Sequence, residues 1–455
     1  MTSPPLPKDL RRVVIAAAVG NVIEWYDFYI FGSLAALLST KFFAAGASGA
    51  ALIKTVGTFT AGFLIRPFGA FVFGRVGDLV GRKYTFLITL SGMGLSTALI
   101  GFVPSYARIG AAAGILLLIL RLIQGLCLGG EYGGAITYVA EHAPDEKRGY
   151  YTGWLQTSPT LGIVVSLAVI IITRQVLGTE AFTAWGWRIP FVLSLFMVAI
   201  AIYIRLRLQE TPIFQDIKSK GQISTSPWRE AFLSQNIKYV LIASIVVIGE
   251  GVVWYSGQFW ALYFLQQVMK PDVLRPAFIT GAALLIATPS LIFFGWLSDR
   301  VGRKPIILAG FALAALTYYP LYNALGHAAN PASPNYVLAV LIVAIMVAYV
   351  GMVYGPIGAF LAEYFPARIR YSSVSVPYHI GNGWGGGLVP VITTAAYVSA
   401  TAAGLTMSQS LGHALVYPIV VPAVAFLLSL FLMPETRKIS IWQPQQQMGA
   451  TGARM

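Results

Sequence analysis

Long apolar runs alternate with short polar loops along this 455-residue chain. A helix that crosses a bilayer needs about 20 mostly apolar residues, and we predict twelve such helices from the runs. They are placed at 13–39, 51–76, 85–105, 110–138, 150–175, 187–206, 238–268, 277–297, 305–326, 336–362, 371–399 and 410–433. The pattern therefore predicts an all-α membrane protein with twelve transmembrane helices.

Two short loop patterns each occur twice, in the same order. Residues 74–83 read Gly-Arg-Val-Gly-Asp-Leu-Val-Gly-Arg-Lys, and residues 295–304 repeat the Gly, Asp, Gly, Arg and Lys at the same spacing. An acid, a proline and an arginine likewise recur at 141–148 and 363–370. Matched loops in a membrane chain are typical of a transporter built from two related halves.

The repeats divide the predicted helices into two six-helix bundles. The predicted divisions are an N-terminal bundle at 1–206, a cytoplasmic linker at 207–237, a C-terminal bundle at 238–433 and a cytoplasmic tail at 434–455. Lys and Arg are concentrated in the loops on the same side as the two termini. Positively charged loops stay in the cytoplasm, so we expect both termini to be cytoplasmic.

The composition agrees with a chain that is surrounded by lipid. Hydrophobic residues make up 57% of it and charged residues 11%, whereas soluble domains carry roughly 25% charged residues. A net charge of +14 would point to nucleic acid in a soluble protein. Here the basic residues fall between apolar runs and act as topology determinants, so the predicted partner is the lipid bilayer and not nucleic acid.

Three acids inside the predicted helices are candidates for carrying a proton, because an ionisable group in a spanning helix is costly. Glu24 and Asp27 share one helical face, and two close carboxylates in low dielectric cannot both ionise easily. Glu131 is the third acid. Arg121 stays charged, and we expect it to be the counter-ion of one of the first two acids, with Asp27 the favoured choice. A static structural ion pair is the alternative interpretation of these two residues.

Polar and aromatic residues in the predicted helices are candidates for a substrate site. The candidates are Lys54, Arg121, Gln124, Tyr255, Gln258, Tyr378, His379 and Asn382. Lys54 lies near the outer end of its helix, where the alternative is snorkelling towards the surface. His379 could titrate near neutral pH, but a lone histidine is more often a hydrogen-bonded packing residue.

Two other charged residues lie in predicted helices. Glu250 shares a stripe of its helix with Trp254 and Gln258, which suggests the lining of a cavity. Arg66 directly precedes Pro67, and we assign it a structural role.

The charged residues of the repeated loops are candidates for a conformational latch. They are Asp78, Arg82, Glu141, Arg148, Asp299, Arg303, Glu363 and Arg370. Acids and arginines that meet at a membrane face can hold two halves together in one state and release them in another. We expect Asp78 and Asp299 to pair with nearby arginines or to lie near the positive end of a helix. The alternative is a solvated run of charge that only sets topology.

Sequence motifs for chemistry are absent. The chain has no Gly-x-x-x-x-Gly-Lys-Ser/Thr phosphate loop, no Cys/His metal-ligand spacing and no Gly-x-Ser-x-Gly nucleophile elbow. We therefore predict that the protein is not an enzyme and uses no cofactor and no metal.

Further motifs are spread over nearly the whole chain. They are Gly20-Asn21-x-x-Glu24-Trp25-Tyr26-Asp27-Phe28, Arg66-Pro67-x-Gly69, Arg121-x-x-Gln124-Gly125, Gly129-Gly130-Glu131-Tyr132-Gly133-Gly134, Trp187-Arg188-Ile189-Pro190-Phe191, Glu210-Thr211-Pro212 and Arg370-Tyr371-Ser372. Together they resemble the metabolite:proton symporter family of the major facilitator superfamily. The resemblance implies the major facilitator fold, a central site and uptake driven by the proton gradient. Members of the family carry organic acids such as citrate, 2-oxoglutarate and shikimate, or zwitterions such as proline and betaine.

We therefore expect a proton-coupled symporter that imports a small organic acid or zwitterionic metabolite across the cytoplasmic (inner) membrane by alternating access. Its partners would be that substrate, protons and the lipid bilayer, and the fold suffices as a monomer. The alternatives are an uncoupled facilitator or an exporter of the same fold, and a non-transporting membrane sensor. Sensors usually append a soluble domain, and residues 434–455 are too few and too polar to form one.

Overall fold

The computed structural model describes residues 10–43, 48–80, 82–206, 219–220, 237–269, 274–367 and 369–441. Every long element within these ranges is a helix, and each predicted span corresponds to one helix or to one interrupted helix, numbered α1 to α12. The all-α prediction is confirmed. Most of the predicted linker and the end of the predicted tail lie outside the described residues, so the division boundaries stay predictions.

The helices of the N-terminal half are α1 (Leu10–Ser33 and Ala35–Phe42), α2 (Ser48–Leu64 and Arg66–Val80), α3 (Arg82–Ile100), α4 (Ala112–Leu128 and Tyr132–His142), α5 (Arg148–Leu177) and α6 (Ile189–Leu206). Those of the C-terminal half are α7 (Ile237–Tyr255 and Ala261–Val268), α8 (Leu274–Ala287 and Pro289–Val301), α9 (Arg303–Ala328), α10 (Tyr336–Tyr354 and Ile357–Tyr364), α11 (Arg370–His379 and Val389–Ala402) and α12 (Met407–Ala414 and Val416–Leu432). Two π-helical segments continue α7 and α11, at Ser256–Trp260 and Ile380–Gly385. Short helices and 3-10 turns occupy Tyr106–Ile109, Asp145–Lys147, Thr179–Ala184, Gly186–Arg188 and Gly386–Leu388.

Length and hydropathy alone identify fewer spans than the sequence analysis predicts. Among the described residues, 8 helices are long and apolar enough to cross a membrane, or 9 if the bent pair in α12 is one span. The helices that fall short are α1, α3 and α11. α1 carries Glu24 and Asp27, and the apolar part of α3 covers only Leu87–Ile100. α11 contains a glycine-rich π segment. α1 and α11 thus bring polar or irregular segments into the interior, and these segments lower the mean hydropathy of the two helices.

The outer surface of the bundle is apolar and the polar side chains face inward. Val176, Leu316 and Phe431 are each more than three-quarters exposed, whereas many polar and charged side chains are buried. This inversion of the soluble pattern is expected where lipid is the solvent.

The two halves meet where α5 packs on α8 and α2 packs on α11. At the first contact, a Cβ atom on Gly149 would collide with the carbonyl oxygen of Gly295. Gly295 opens the second copy of the repeated loop, so the close approach of two backbones explains why that loop begins with a glycine.

Candidate functional site

Charged side chains from both halves meet at one end of the bundle, which we call the ion-pair face. Its members are Glu141, Asp145, Arg148, Asp299, Arg303, Glu363, Arg370, Glu435 and Thr436. Glu363 of α10 accepts hydrogen bonds from Arg148 of α5 and from Arg303 of α9, each at 2.9 Å. Arg303 also pairs with Asp299 of α8 at 2.6 Å. One buried carboxylate therefore binds arginines from both halves.

Two further contacts at this face cross between the halves. Arg370 of α11 donates to Glu141 of α4 at 2.9 Å. The carboxylate of Asp299 accepts hydrogen bonds from the backbone amides of Gly149 and Tyr150 at 2.8 Å each. These amides belong to the first turn of α5, where unpaired N–H groups and the helix dipole favour an anion.

The segment after α12 completes the ion-pair face, although the sequence analysis assigned it only to a cytoplasmic tail. Thr436 is buried, and its hydroxyl donates to Glu363 at 2.6 Å. The carboxylate of Glu435 accepts from the backbone amides of Arg303 and Lys304 at 3.0 and 3.1 Å, at the start of α9. The available sequence signal was an acid and a threonine directly after the last apolar run.

The structure brings six of the predicted latch residues together. They are Glu141, Arg148, Asp299, Arg303, Glu363 and Arg370. The three arginines among them are fully buried, so a merely solvated run of charge does not describe them. The side chains of Asp78 and Arg82 lie outside the described residues. Service as a latch stays a prediction.

A second group of buried polar side chains lies deep inside the bundle, among aromatic rings. This central cluster comprises Glu24, Asp27, Arg66, Arg121, Gln124, Glu250, Gln258 and Asn382. With the Asn21 side-chain amide oriented to satisfy both of its polar atoms, it donates to Glu24 at 3.1 Å. Neither carboxylate oxygen of Asp27 has a hydrogen-bond partner among the described residues. Asp27 is therefore a buried acid near the like-charged Glu24.

The predicted ion pair between Asp27 and Arg121 is wrong for this conformation. Arg121 donates to the side chain of Gln124 at 2.7 Å and to the carbonyls of Phe28 at 3.2 Å and Phe59 at 3.4 Å. Its guanidinium carbon lies 4.1 and 5.0 Å from the ring centroids of the same two phenylalanines. Carbonyl oxygens, an amide and ring faces thus take the place of the carboxylate as partners of the cation.

Backbone contact between α2 and α4 fixes the positions of the two buried arginines. A Cβ atom on Gly125 would collide with the carbonyl oxygen of Gly62, and one on Gly129 would collide with that of Arg66. The two helices can approach this closely only because glycine occupies α4 at both positions. Arg66 and Arg121 consequently enter the interior from neighbouring helices.

Arg66 is a candidate functional residue that the sequence analysis missed. It is fully buried, and none of its three guanidinium nitrogens makes a hydrogen bond within the described part of the chain. The guanidinium carbon lies 5.2 Å from the ring centroid of Trp25, 5.4 Å from that of Phe63 and 6.0 Å from that of Tyr378. Burying an unpaired charge is costly. An arginine within an apolar run was therefore the sequence signal for a functional residue. The sequence analysis assigned Arg66 a structural role because Pro67 follows it.

Glu250 of α7 is the acid of the C-terminal half. Its Oε2 accepts a hydrogen bond from Asn382 at 2.8 Å, while its Oε1 has no hydrogen-bond partner among the residues described. α7 and α11 come close at Gly251, where a Cβ atom would lie 3.0 Å from the carbonyl oxygen of Gly381. Arg66 lies nearby, since a Cβ atom on Gly383, the neighbour of Asn382, would come 3.7 Å from the Cβ of Arg66. One basic and one acidic side chain, each from a different half, therefore face the same region.

Three other predicted substrate residues belong to this region. The Tyr255 ring packs edge-on against Phe63, with 5.0 Å between centroids. The hydroxyls of Tyr378 and Tyr354 are 2.9 Å apart. Gln258, in the π segment of α7, is buried with no hydrogen bond to either side-chain polar atom from a described residue. π segments inside helices are frequent at functional sites.

The remaining candidates lie at the edge of the central cluster or away from it. His379 is fully buried and contacts the Tyr378 ring, 5.1 Å between centroids. Glu131 points towards α3, where the hydroxyl of Thr89 donates to it at 3.0 Å. The side chain of Lys54 is exposed, which agrees with the snorkelling alternative.

A cavity of about 630 Å³ opens beside the ion-pair face. Lys147, Trp154 and Arg300 are among the residues that line it. At the central cluster, rings of the two halves touch in this conformation. Tyr29 of α1 stacks on Trp254 of α7, for example, with 5.6 Å between centroids.

Comparisons with known proteins agree with this architecture. The family model described as "Sugar (and other) transporter" matches residues 13–226 and 215–446. The glycine betaine/proline/ectoine/pipecolic acid transporter OusA of Dickeya dadantii (strain 3937) is 32% identical over 438 residues, which cover 94% of this chain and 84% of that protein. The inner membrane metabolite transport protein YhjE of Escherichia coli (strain K12) is 31% identical over 440 residues, 95% of this chain and 96% of that protein.

Solved structures show the same fold. The major facilitator superfamily proton:xylose symporter XylE, bound to 6-bromo-6-deoxy-D-glucose, superposes with a TM-score of 0.73 over 96% of this chain and 98% of that one, at 18% identity. The partially occluded inward-open conformation of XylE from E. coli gives a TM-score of 0.72 over 95% of this chain and 100% of that one, also at 18% identity. Similarity at this identity establishes the predicted fold and leaves the substrate open.

Proposed function

The chain belongs to the sugar (and other) transporter family of the major facilitator superfamily, and we propose that it is a proton-coupled symporter that imports a small carboxylate-bearing metabolite across the inner membrane. It is a multi-pass membrane transporter and not an enzyme. Proton coupling, the direction of transport and the substrate are the proposed parts.

The observation that carries proton coupling is the burial of Asp27 with both carboxylate oxygens unpartnered among the described residues. An ionised carboxylate in that position is costly, so this conformation favours the acid that holds its proton. A conformation in which the carboxyl of Asp27 contacts water or a cation stabilises the ionised form and so favours release of the proton. Such a difference in proton affinity between conformations couples a proton gradient to alternating access.

Arg66 supports a substrate that carries a carboxylate. A buried guanidinium with free N–H groups matches the two oxygens of a carboxylate in a bidentate arrangement. The class includes organic acids and zwitterions alike. OusA is named for glycine betaine, proline, ectoine and pipecolic acid, all of which carry a carboxylate.

We assign the ion-pair face to the cytoplasmic side, where positively charged loops reside. The contacts that Arg148 and Glu363, and Arg370 and Glu141, make between the halves hold that side closed. Opening towards the cytoplasm requires that they separate, which is the function of a latch.

The test is uptake into proteoliposomes that hold an imposed pH gradient, alkaline inside, with labelled proline, glycine betaine, citrate and 2-oxoglutarate. We expect accumulation of a substrate above its external concentration and loss of that accumulation with an uncoupler. Asp27→Asn should abolish accumulation and retain exchange of substrate across the membrane. Glu180→Gln is the matched control, since Glu180 is exposed and far along the chain from Asp27. Transport that is indifferent to the gradient would identify a facilitator instead.

A further inference from the structure

We propose that Arg66 and Glu250 form a two-charge recognition site that selects a compact zwitterion over a dicarboxylate. The carboxylate of the ligand binds Arg66, and its cationic nitrogen lies among aromatic rings beside Glu250. This inference rests on the proposed transport of a small carboxylate-bearing solute and assigns the chemistry that distinguishes one such solute from another.

The two charges come from different halves and are not paired with each other. The guanidinium of Arg66 makes no hydrogen bond within 3.5 Å, although Tyr255 lies close to it, and the carboxyl of Glu250 makes one, to Asn382, in the described part of the chain. No salt bridge of 4 Å or less joins the two side chains there. Each charge therefore keeps hydrogen-bonding capacity for a third group.

Four tyrosines and Arg66 lie around Glu250. The tyrosines are Tyr132, Tyr255, Tyr354 and Tyr378. Among the described residues no lysine or arginine binds the carboxyl of Glu250, because its Oε2 accepts from Asn382 and its Oε1 has no hydrogen-bond partner. A cation brought by the ligand would bind that carboxyl instead.

Aromatic rings surround the same region. Trp25 and Phe63 lie on the Arg66 side, and Tyr255 and Trp254 lie on the α7 side, with 4.8 Å between the centroids of those two rings. Ring faces attract ammonium groups, and methylated or cyclic ammonium ions are recognised in this way. The rings therefore favour a cationic nitrogen that is methylated or part of a ring and has few or no N–H groups to donate.

A dicarboxylate fits this arrangement poorly. Its first carboxylate can bind Arg66. A ligand cation beside Glu250 favours the ionised form of that carboxyl, whereas a second ligand carboxylate meets an acid that either holds its proton or repels it, and meets the negative faces of the rings. A zwitterion satisfies both charges at once and draws the two halves towards each other. The charge pattern thus provides specificity by attraction and by repulsion together.

Two probes of nearly the same shape test the inference. Glycine betaine carries a trimethylammonium group, and 3,3-dimethylbutanoate replaces its nitrogen by carbon and so lacks the positive charge. Binding is measured from the tryptophan fluorescence of the detergent-purified chain, and transport from counterflow in proteoliposomes without a pH gradient. We expect the wild type to bind glycine betaine at least about tenfold more tightly than 3,3-dimethylbutanoate, and to bind succinate more weakly than glycine betaine.

The variants separate the two charges. Glu250→Gln should bring the ratio between the two probes to within about threefold, whereas Arg66→Lys should weaken both probes together. Glu180→Gln and Arg275→Lys, at exposed positions, are the matched controls and should leave the ratio unchanged. The inference is overturned if the wild type binds the two probes equally or prefers succinate. It is also overturned if a folded Glu250→Gln chain keeps the wild-type ratio. Because binding and counterflow use no proton gradient, a failure of proton coupling does not affect this result.

Discussion

The ion-pair face and the central cluster both bury charge, but they do so in opposite ways. At the ion-pair face, Glu363 accepts from two arginines and a threonine hydroxyl. In the central cluster, the carboxylate of Asp27 and the guanidinium of Arg66 make no hydrogen bond with a described residue. Paired charges stabilise the arrangement in which they are paired, whereas unpaired ones raise its free energy until a proton or a ligand arrives.

This difference separates two tasks of a transporter. A gate needs contacts that form in one conformation and break in another, and each contact of the ion-pair face that joins Arg148 to Glu363 or Arg370 to Glu141 spans the two halves. A binding site needs groups whose partners are not yet satisfied. We therefore expect a substitution that removes a charge to cost much stability at the ion-pair face and little at Asp27 in the central cluster.

The largest effect is expected for Glu363→Gln. The substitution removes the negative charge shared by Arg148 and Arg303, both of which are fully buried. Loss of one partner from a buried ion pair costs about 3–5 kcal/mol, so the melting temperature of the purified chain should fall markedly. Glu180→Gln, at an exposed position, should melt like the wild type. A Glu363→Gln chain as stable as the wild type would mean that the ion-pair face does not stabilise this conformation.

A smaller effect is expected from exchanging the charges of Glu141 and Arg370. Each single reversal, Glu141→Arg or Arg370→Glu, places like charges at the 2.9 Å contact between α4 and α11. The double reversal restores opposite charges. A double-mutant cycle on melting should give a favourable coupling of about 1–3 kcal/mol, and destabilisations that simply add would show that the two side chains act independently.

Thr436→Val should lower stability by about 1.5 kcal/mol, because it removes a hydrogen bond to a charged group. The valine keeps the shape of the buried side chain and leaves one oxygen of Glu363 without its 2.6 Å donor. Thr40→Val is the matched control, since the hydroxyl of Thr40 is exposed and donates only to a carbonyl of its own helix. Equal melting of the two variants would show that the hydroxyl of Thr436 does not stabilise the ion-pair face.

The sequence identified the members of the ion-pair face better than it identified their partners. The repeated loops named Arg148, Arg303, Glu363 and Arg370 because the same residue types return at the same spacing. Spacing along the chain cannot show that Glu363 takes arginines from both halves, since that depends on how α5, α9 and α10 meet. Thr436 lies outside both repeats, so no repeat could indicate it.

The central cluster was less predictable for a related reason. Asp27 and Arg121 were paired in the sequence analysis because a buried charge needs a partner, but three kinds of neutral partner surround Arg121 instead. Carbonyls and ring faces occur throughout a helical membrane protein. Which of them contact Arg121 depends on how the helices pack, and the sequence does not show that packing. Arg66 and Arg121 are both arginines within apolar runs, so the sequence does not separate their roles. The structure separates them, because it places Arg66 among the rings of Trp25, Phe63 and Tyr378.

The smallest effect on stability is expected for Asp27→Asn. An amide has almost the shape of the protonated acid, and the substitution removes no hydrogen bond because the carboxylate of Asp27 makes none with a described residue. The melting temperature should change by less than the equivalent of about 1 kcal/mol. If Asp27 were instead the ionised partner of Arg121, the substitution would leave a buried cation unpaired and cost about 3–5 kcal/mol, as at Glu363. Melting of the Asp27→Asn and Glu363→Gln chains side by side therefore decides whether the two regions bury charge differently.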